Sequence, residues 1–268
     1  MAGRRRNQSS DLAARVIAAI PAIAFAVAIV VAGGWWFTAG LILLGWVCMH
    51  EAFVLLEAGH PVRLAGMIGL AGILIAARKG GADALLGAYV ATVPITFLIA
   101  LAQVRAGAPG LAVTMFALTW VALPFGHAVL LRDTAHGGGV VAVVLVATFA
   151  GDTGAYFTGR AIGRRPLAPR VSPNKTLEGL LGGMVASILG AEAVGLYQDW
   201  LSGWDALALG AAVAIAAPLG DLFESYIKRD RGVKDAGRLF GAHGGALDRL
   251  DAVLFCAVAG YYVWLALM

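Results

Sequence analysis

The sequence predicts an all-α, polytopic membrane helix bundle, and three observations carry that expectation. Of its 268 residues 60% are hydrophobic and only 13% are charged, where a soluble domain carries about 25% charged residues. The mean hydropathy is +0.82, so water is not the solvent of most of the surface. A spanning helix needs about 20 largely apolar residues, and nine stretches qualify: 15–33, 35–57, 62–78, 83–104, 109–131, 138–160, 177–197, 205–228 and 249–267.

Residues 1–14 form a basic tail whose Arg4, Arg5 and Arg6 read as a topology signal touching anionic lipid. The stretch after it is longer than the apolar region of a signal peptide and lacks a small-residue cleavage site, so a retained anchor is expected. The first five stretches, within 15–135, are rich in Ala, Leu, Val and Gly, which suits close helix packing in lipid. Two polar features interrupt them. Glu51, next to His50, is an intramembrane acid that needs a partner or a cavity, and both readings stay open. His127 reads as a packed or interfacial histidine. Cys48 and Cys256 lie in apolar runs, where they behave as small hydrophobes. No Ser- or Pro-rich linker divides the chain, so residues 1–268 read as one membrane domain.

Charge sets the orientation. With a cytoplasmic N-terminus, all of the 20 Lys and Arg residues except Arg78, Lys79 and Arg132 fall on the inner side, as the positive-inside rule requires. The polar loops 160–176 and 229–248 then face the cytoplasm.

Chemistry is concentrated in residues 136–268. Asp152 sits inside the apolar stretch VVAVVLVATFAGDTGAYFTGR, with Tyr156 one turn on along the same face. The loop that follows contains Ser172, Pro173, Asn174, Lys175 and Thr176. Ser172 before a proline predicts a helix N-cap, with Lys175 in the first turn and a helix end suited to phosphate. The glycine spacing of a Walker A loop is absent.

The eighth stretch ends in PLGDLFESYIKR, so Asp221, Glu224, Ser225 and Lys228 share one helical face, with Leu222, Phe223 and Ile227 opposite. Pro218 and Gly220 are expected to loosen the backbone just upstream. A glycine-rich polar loop carrying Arg229, Lys234, Asp235, Arg238 and the turn His243-Gly244-Gly245 leads into Asp248, Arg249 and Asp251. Asp248 and Asp251 stand in the first turn of the last stretch, where the helix dipole favours anions. Charges beside a bilayer mark a functional site by default. Carboxylates from two helices suit Mg²⁺, which takes few carboxylates and completes its shell with water and substrate phosphates. The surrounding Lys and Arg side chains suit a polyphosphate.

The pattern Ser225-x2-Lys228-Arg229-x4-Lys234-Asp235-x7-His243-Gly244-Gly245-x2-Asp248-Arg249-x-Asp251 resembles the signature of the phosphatidate cytidylyltransferases, or CDP-diacylglycerol synthases. The GDTGAYFTGR and SPNKTLEG segments resemble further landmarks of that family. The likeness covers about residues 147–255, while the first five stretches match only as hydrophobic helices. Gly241-Ala242, Ala246 and Ala252 depart from the usual residues without removing a charge. The resemblance implies an Mg²⁺-dependent enzyme of phospholipid biosynthesis at the cytoplasmic membrane face. It would convert CTP and phosphatidate to CDP-diacylglycerol and pyrophosphate.

The same resemblance implies Asp221, Asp248 and Asp251 as ligands of Mg²⁺, with room for a second cation, and Lys228 beside them as a catalytic residue. Asp152, Ser172, Asn174, Lys175, Thr176, Glu224, Ser225, Arg229, Lys234, Asp235, His243, Gly244, Gly245 and Arg249 would line the substrate site. Partners are the two substrates, membrane lipids of the plasma membrane and a second copy of the chain in a homodimer, with no nucleic acid. A CTP-dependent polyprenol or lipid kinase and an ion-coupled transporter are the rival readings. The missing inverted repeat and the one-sided charge weigh against the transporter.

Overall fold

The computed structural model describes residues 21–237 and 244–268. Nearly every described element is helical: α1 (Pro21–Ala32), α2 (Gly34–Leu55), α3 (Arg63–Ala100), α4 (Gly107–Ala117), α5 (Leu123–Asp133), α6 (Gly137–Ile162), α7 (Leu177–Gly195), α8 (Gly203–Asp230) and α9 (Leu247–Leu267). Taking α4 and α5 as one rod, seven helices are long and apolar enough to cross a membrane. The described part of α1 is shorter than a span. Large apolar side chains such as Leu98, Val185, Leu189 and Ile215 are more than half exposed, as a surface solvated by lipid requires. The chain is a multi-pass membrane protein.

Two helices depart locally from regular geometry. The third and fourth expected spans merge into α3, broken at Gly80 and Gly81, where Gly81 has φ 70° and ψ −156°, a conformation open to glycine and strained for other residues. Between α4 and α5 the ladder slips by one residue through a π turn at Leu118–Ala122, with the Leu123 N–H donating to Leu118 O. Pro124 follows in the first turn of α5 and has no N–H to offer, so a register shift here costs less than elsewhere. The π turn presents Trp120 to Phe116 and to Phe223 of α8.

The N-cap expected at Ser172 is corrected by the structure. Ser172–Thr176 is a strand, β2, paired antiparallel with β1 (Pro166–Ala168). The cap of α7 is Thr176, whose Oγ1 accepts the Gly179 N–H at 3.1 Å. Glu178 reaches back to accept the N–H groups of Arg164 and Arg165 at 3.0 and 3.1 Å. A proline fixes φ near the value that strands and helix starts both accept, so Ser-Pro alone could not distinguish them. The side-chain reach of Thr176 and Glu178 decides.

Helices α6 and α7 pack along their length, α8 packs against α7 and α9, and α9 also contacts α2, α5 and α6. The C-terminal ends of α2, α6 and α8 and the N-terminal ends of α7 and α9 therefore meet at one end of the bundle. At the other end, Arg78 pairs with Asp133 at 2.9 Å and lies over Trp35, while Arg132 donates to Val30 O at 2.9 Å. These are two of the three cations expected outside. His127 is a packed residue, with ring nitrogens 2.8 Å from Leu123 O and 3.2 Å from the Tyr262 hydroxyl. Cys48 and Cys256 are buried and unbridged.

Candidate active site

The polar end of the bundle opens into a cavity of about 560 Å³ between α6, α7 and α8, covered on one side by the hairpin. Its polar end carries Asp152 and Arg160 from α6, Asn174, Lys175 and Thr176 from β2, and Asp221 from α8. Its deeper wall is apolar, with Leu180, Met184, Ala214, Ala217 and Pro218. Lys175 forms an ion pair with Asp221 across the mouth. Asp152 stands near enough to Asp221 for the two charges to repel.

Behind the cavity, α8 and α9 cross at a very short separation. Gly220 makes this possible: a Cβ there would lie 3.1 Å from Ala252 Cα and would strike the Asp251 carbonyl oxygen. The expectation that Gly220 loosens α8 is corrected, since the helix runs unbroken from Gly203 to Asp230. What the missing side chain provides is contact between backbones. Asp221 and Asp251 consequently face each other across the crossing and repel.

Below them lies a buried charge cluster. Lys228 Nζ donates to Glu224 Oε2 at 2.5 Å and to Asp248 Oδ1 at 2.7 Å. Glu224 is fully buried and Lys228 is 9% exposed, which places Lys228 within the protein as a strut between α8 and α9. Asp248 is engaged by more than this lysine, because it also accepts the N–H groups of Ala236, Gly237 and Gly245. The carboxylate holds the two ends of the polar loop against α9. The shared face read from the i, i+3, i+4, i+7 spacing is present, with the Ser225 hydroxyl 3.4 Å from Asp221 Oδ1.

The remaining expected residues fall into three groups. Arg229 donates to Val171 O of the hairpin and to Val233 O of the loop at 3.1 and 3.2 Å, tying the hairpin to the end of α8. Lys234, Asp235 and Arg249 are exposed, Ser172 is partly buried at the hairpin turn, and Gly244 and Gly245 are buried. Gly244 adopts a positive φ of 80°. His243 and Arg238, like the basic tail, lie outside the described residues. Glu51 was the acid whose role the sequence left open. Its Oε1 and Oε2 accept the N–H groups of Ala246 and Leu247 at 3.1 and 2.8 Å.

The donor set fits a divalent cation in its charge. Among the described residues no donor reaches the buried Glu224 Oε1, and the Asp251 carboxyl group lies beside Glu224. Asp152 and Asp221 add two further carboxyl groups at the cavity end. No three His, Cys, Asp or Glu side chains among the described residues converge as a complete metal cage. A cation held by one or two carboxylates and completed by substrate phosphates does not require one.

Comparison with known proteins places the chain in a family. Residues 13–267 match the Cytidylyltransferase family. The chain belongs to that family. It is 33% identical to the phosphatidate cytidylyltransferase of Brucella suis over 94% of this chain and 93% of that protein. It is 42% identical to the protein of the same name from Mycobacterium leprae over 151 residues, 55% of this chain and 47% of that one. With the Mycobacterium tuberculosis protein the identity is 37% over 150 residues, 56% of this chain and 46% of that one. The chain thus spans about half the length of the mycobacterial relatives and nearly all of the Brucella one.

Proposed function

We propose that this member of the Cytidylyltransferase family is a phosphatidate cytidylyltransferase, joining CTP and phosphatidate to give CDP-diacylglycerol and pyrophosphate. The observation that carries the reading is the two-natured cavity. Its polar end sets Lys175, Asn174 and Arg160 beside Asp221 and Asp152, while its deeper wall is apolar. A lipid with a phosphate head needs both in one space.

The nucleophile is the lipid phosphate monoester, whose second pKa near 6 leaves it largely ionised at neutral pH. No strong protein base is required. The residues have two tasks, to bring two anions together in line and to neutralise the charge that spreads over the phosphoryl oxygens. Lys175 lies at the mouth, where it can exchange Asp221 for a phosphate oxygen. The apolar wall orients the lipid and keeps water from competing at the α-phosphorus. Asp221, Asp248 and Asp251 are proposed to hold Mg²⁺, with a second cation beside them. Bound there, Mg²⁺ would supply charge neutralisation to the CTP phosphates. Asp221 would have to release Lys175, and Asp248 one of its protein donors, to reach the ion. Lys228 acts from below, fixing Asp248 and Glu224, and Arg229, Lys234 and Arg249 supply positive charge around the triphosphate. The site is read as facing the cytoplasm because the positive-inside count favours that side for its loops, and the family resemblance implies the plasma membrane. The family resemblance further implies a homodimer.

The test is a label experiment with detergent-solubilised protein, phosphatidate and Mg²⁺. Label at the α-phosphorus of CTP should enter the lipid while γ-label leaves as pyrophosphate. Transfer of the γ-label to lipid would instead assign a lipid kinase, and nucleotide-independent ion uptake in liposomes a transporter.

A further inference from the structure

Helix α9 carries Asp248 and Asp251, yet its own cap position is Ala246, and no side chain of its own sequence caps it. The first amides of a helix need acceptors, and inside a membrane bundle water is a poor substitute. The acceptors come from α2. Glu51, 6% exposed, accepts from Ala246 with one oxygen and from Leu247 with the other, across 195 and 196 residues of sequence. The polar loop approaches the same carboxylate from both of its ends. A Cβ on Gly237 or on Gly245 would land on the Glu51 carboxylate, so the backbone comes as near as a residue without a side chain permits. Asp248 grips the same backbone from the other direction, through Ala236, Gly237 and Gly245.

We infer that Glu51 is a positioning residue for the nucleotidyl transfer: from α2 it fixes the first turn of α9 and both ends of the loop, and thereby sets where Asp248 and Asp251 stand relative to Asp221. The inference rests on the proposed reading of the site for its link to turnover. Its structural half, that Glu51 caps α9, stands apart from that reading. The region before residue 136 is therefore more than a hydrophobic frame, since it contributes an acid that organises the charged end. A carboxylate suits the position because both of its oxygens are acceptors. A carboxamide has one acceptor and would turn an NH₂ group toward a backbone N–H.

Two measurements on full-length protein in detergent test this. In Glu51→Gln, amide hydrogen exchange over residues 245–250 should accelerate at least about tenfold while α6 and α7 keep their protection. In the same protein kcat should fall about tenfold or more with KM for CTP little changed, the pattern of an interaction realised in the transition state. Gly237→Ala, which displaces Glu51 without removing it, should reproduce the local exchange effect, and it should add nothing in a Glu51→Ala background. Unchanged exchange at 245–250, additive effects of the two substitutions, or exchange that accelerates equally in every helix would overturn the positioning role. If the wild-type protein forms no CDP-lipid while Glu51→Gln still loosens residues 245–250, the proposed activity falls and the cap stands.

Discussion

Gly220→Ala isolates the contact that brings the carboxylates of α8 and α9 together. The added Cβ would lie 3.1 Å from Ala252 Cα and closer to the Asp251 carbonyl oxygen. Comfortable contact between carbons is about 3.5–4.0 Å, so the two helices must separate by roughly 0.5–1 Å. Overpacking of this kind costs about 1–3 kcal/mol, while replacing a helical glycine by alanine returns about 0.5–1 kcal/mol. The net destabilisation is therefore roughly 0–2.5 kcal/mol, small enough for the protein to remain folded. Activity is more sensitive, because Asp221 and Asp251 lie on opposite sides of the displaced contact. A misplacement of about 1 Å can cost about a hundredfold in rate.

The assay pairs a thermal midpoint, followed by intrinsic tryptophan fluorescence, with formation of labelled CDP-lipid. Gly72→Ala is the control, since a Cβ there meets nothing within 4 Å. It should keep full turnover and gain about 0.5–1 kcal/mol. If Gly220→Ala behaves like Gly72→Ala in both readouts, the close crossing is not what aligns the acids.

The buried cluster and the cavity mouth should respond differently to loss of a lysine. Lys228→Met leaves Glu224 and Asp248 facing each other without their shared ammonium, and breaking a buried pair this way costs about 3–5 kcal/mol. The thermal midpoint should drop sharply, and Glu224→Gln in the same chain should recover part of it; no drop would mean that Lys228 is not a structural strut. Lys175→Met breaks a pair whose side chains are 28% and 33% exposed, so stability should change by less than about 1 kcal/mol. CDP-lipid formation should nevertheless fall at least about tenfold, and unaltered kinetics would remove Lys175 from the phosphate site.

Much of the molecule was legible from local pattern. Spanning helices follow from uninterrupted apolar runs, because a backbone in lipid must satisfy its own hydrogen bonds within one segment. The face shared by Asp221, Glu224, Ser225 and Lys228 follows from helical periodicity, which each residue reads from its neighbours. Family membership followed from fixed spacings of charged residues in a chain otherwise poor in charge. Where local signals conflicted, reading them was not enough. Ser172-Pro173 satisfied the rule for a helix start and the geometry of a strand alike, and the reach of Glu178 back to Arg164 and Arg165 settled the matter.

What only the tertiary structure decided are relations between residues distant in sequence. Gly220 looks like a weak point in a helix until α9 is laid against it. Glu51 looks like a stray acid until the first amides of α9, nearly two hundred residues away, are seen to have no other cap among the described residues. Lys228 and Arg229 look alike as cations, yet the fold buries one between two acids and turns the other toward backbone carbonyls. Hydropathy and periodicity describe what a segment needs from its surroundings. Which segment supplies it depends on how the helices pack, and no single stretch of sequence contains that information.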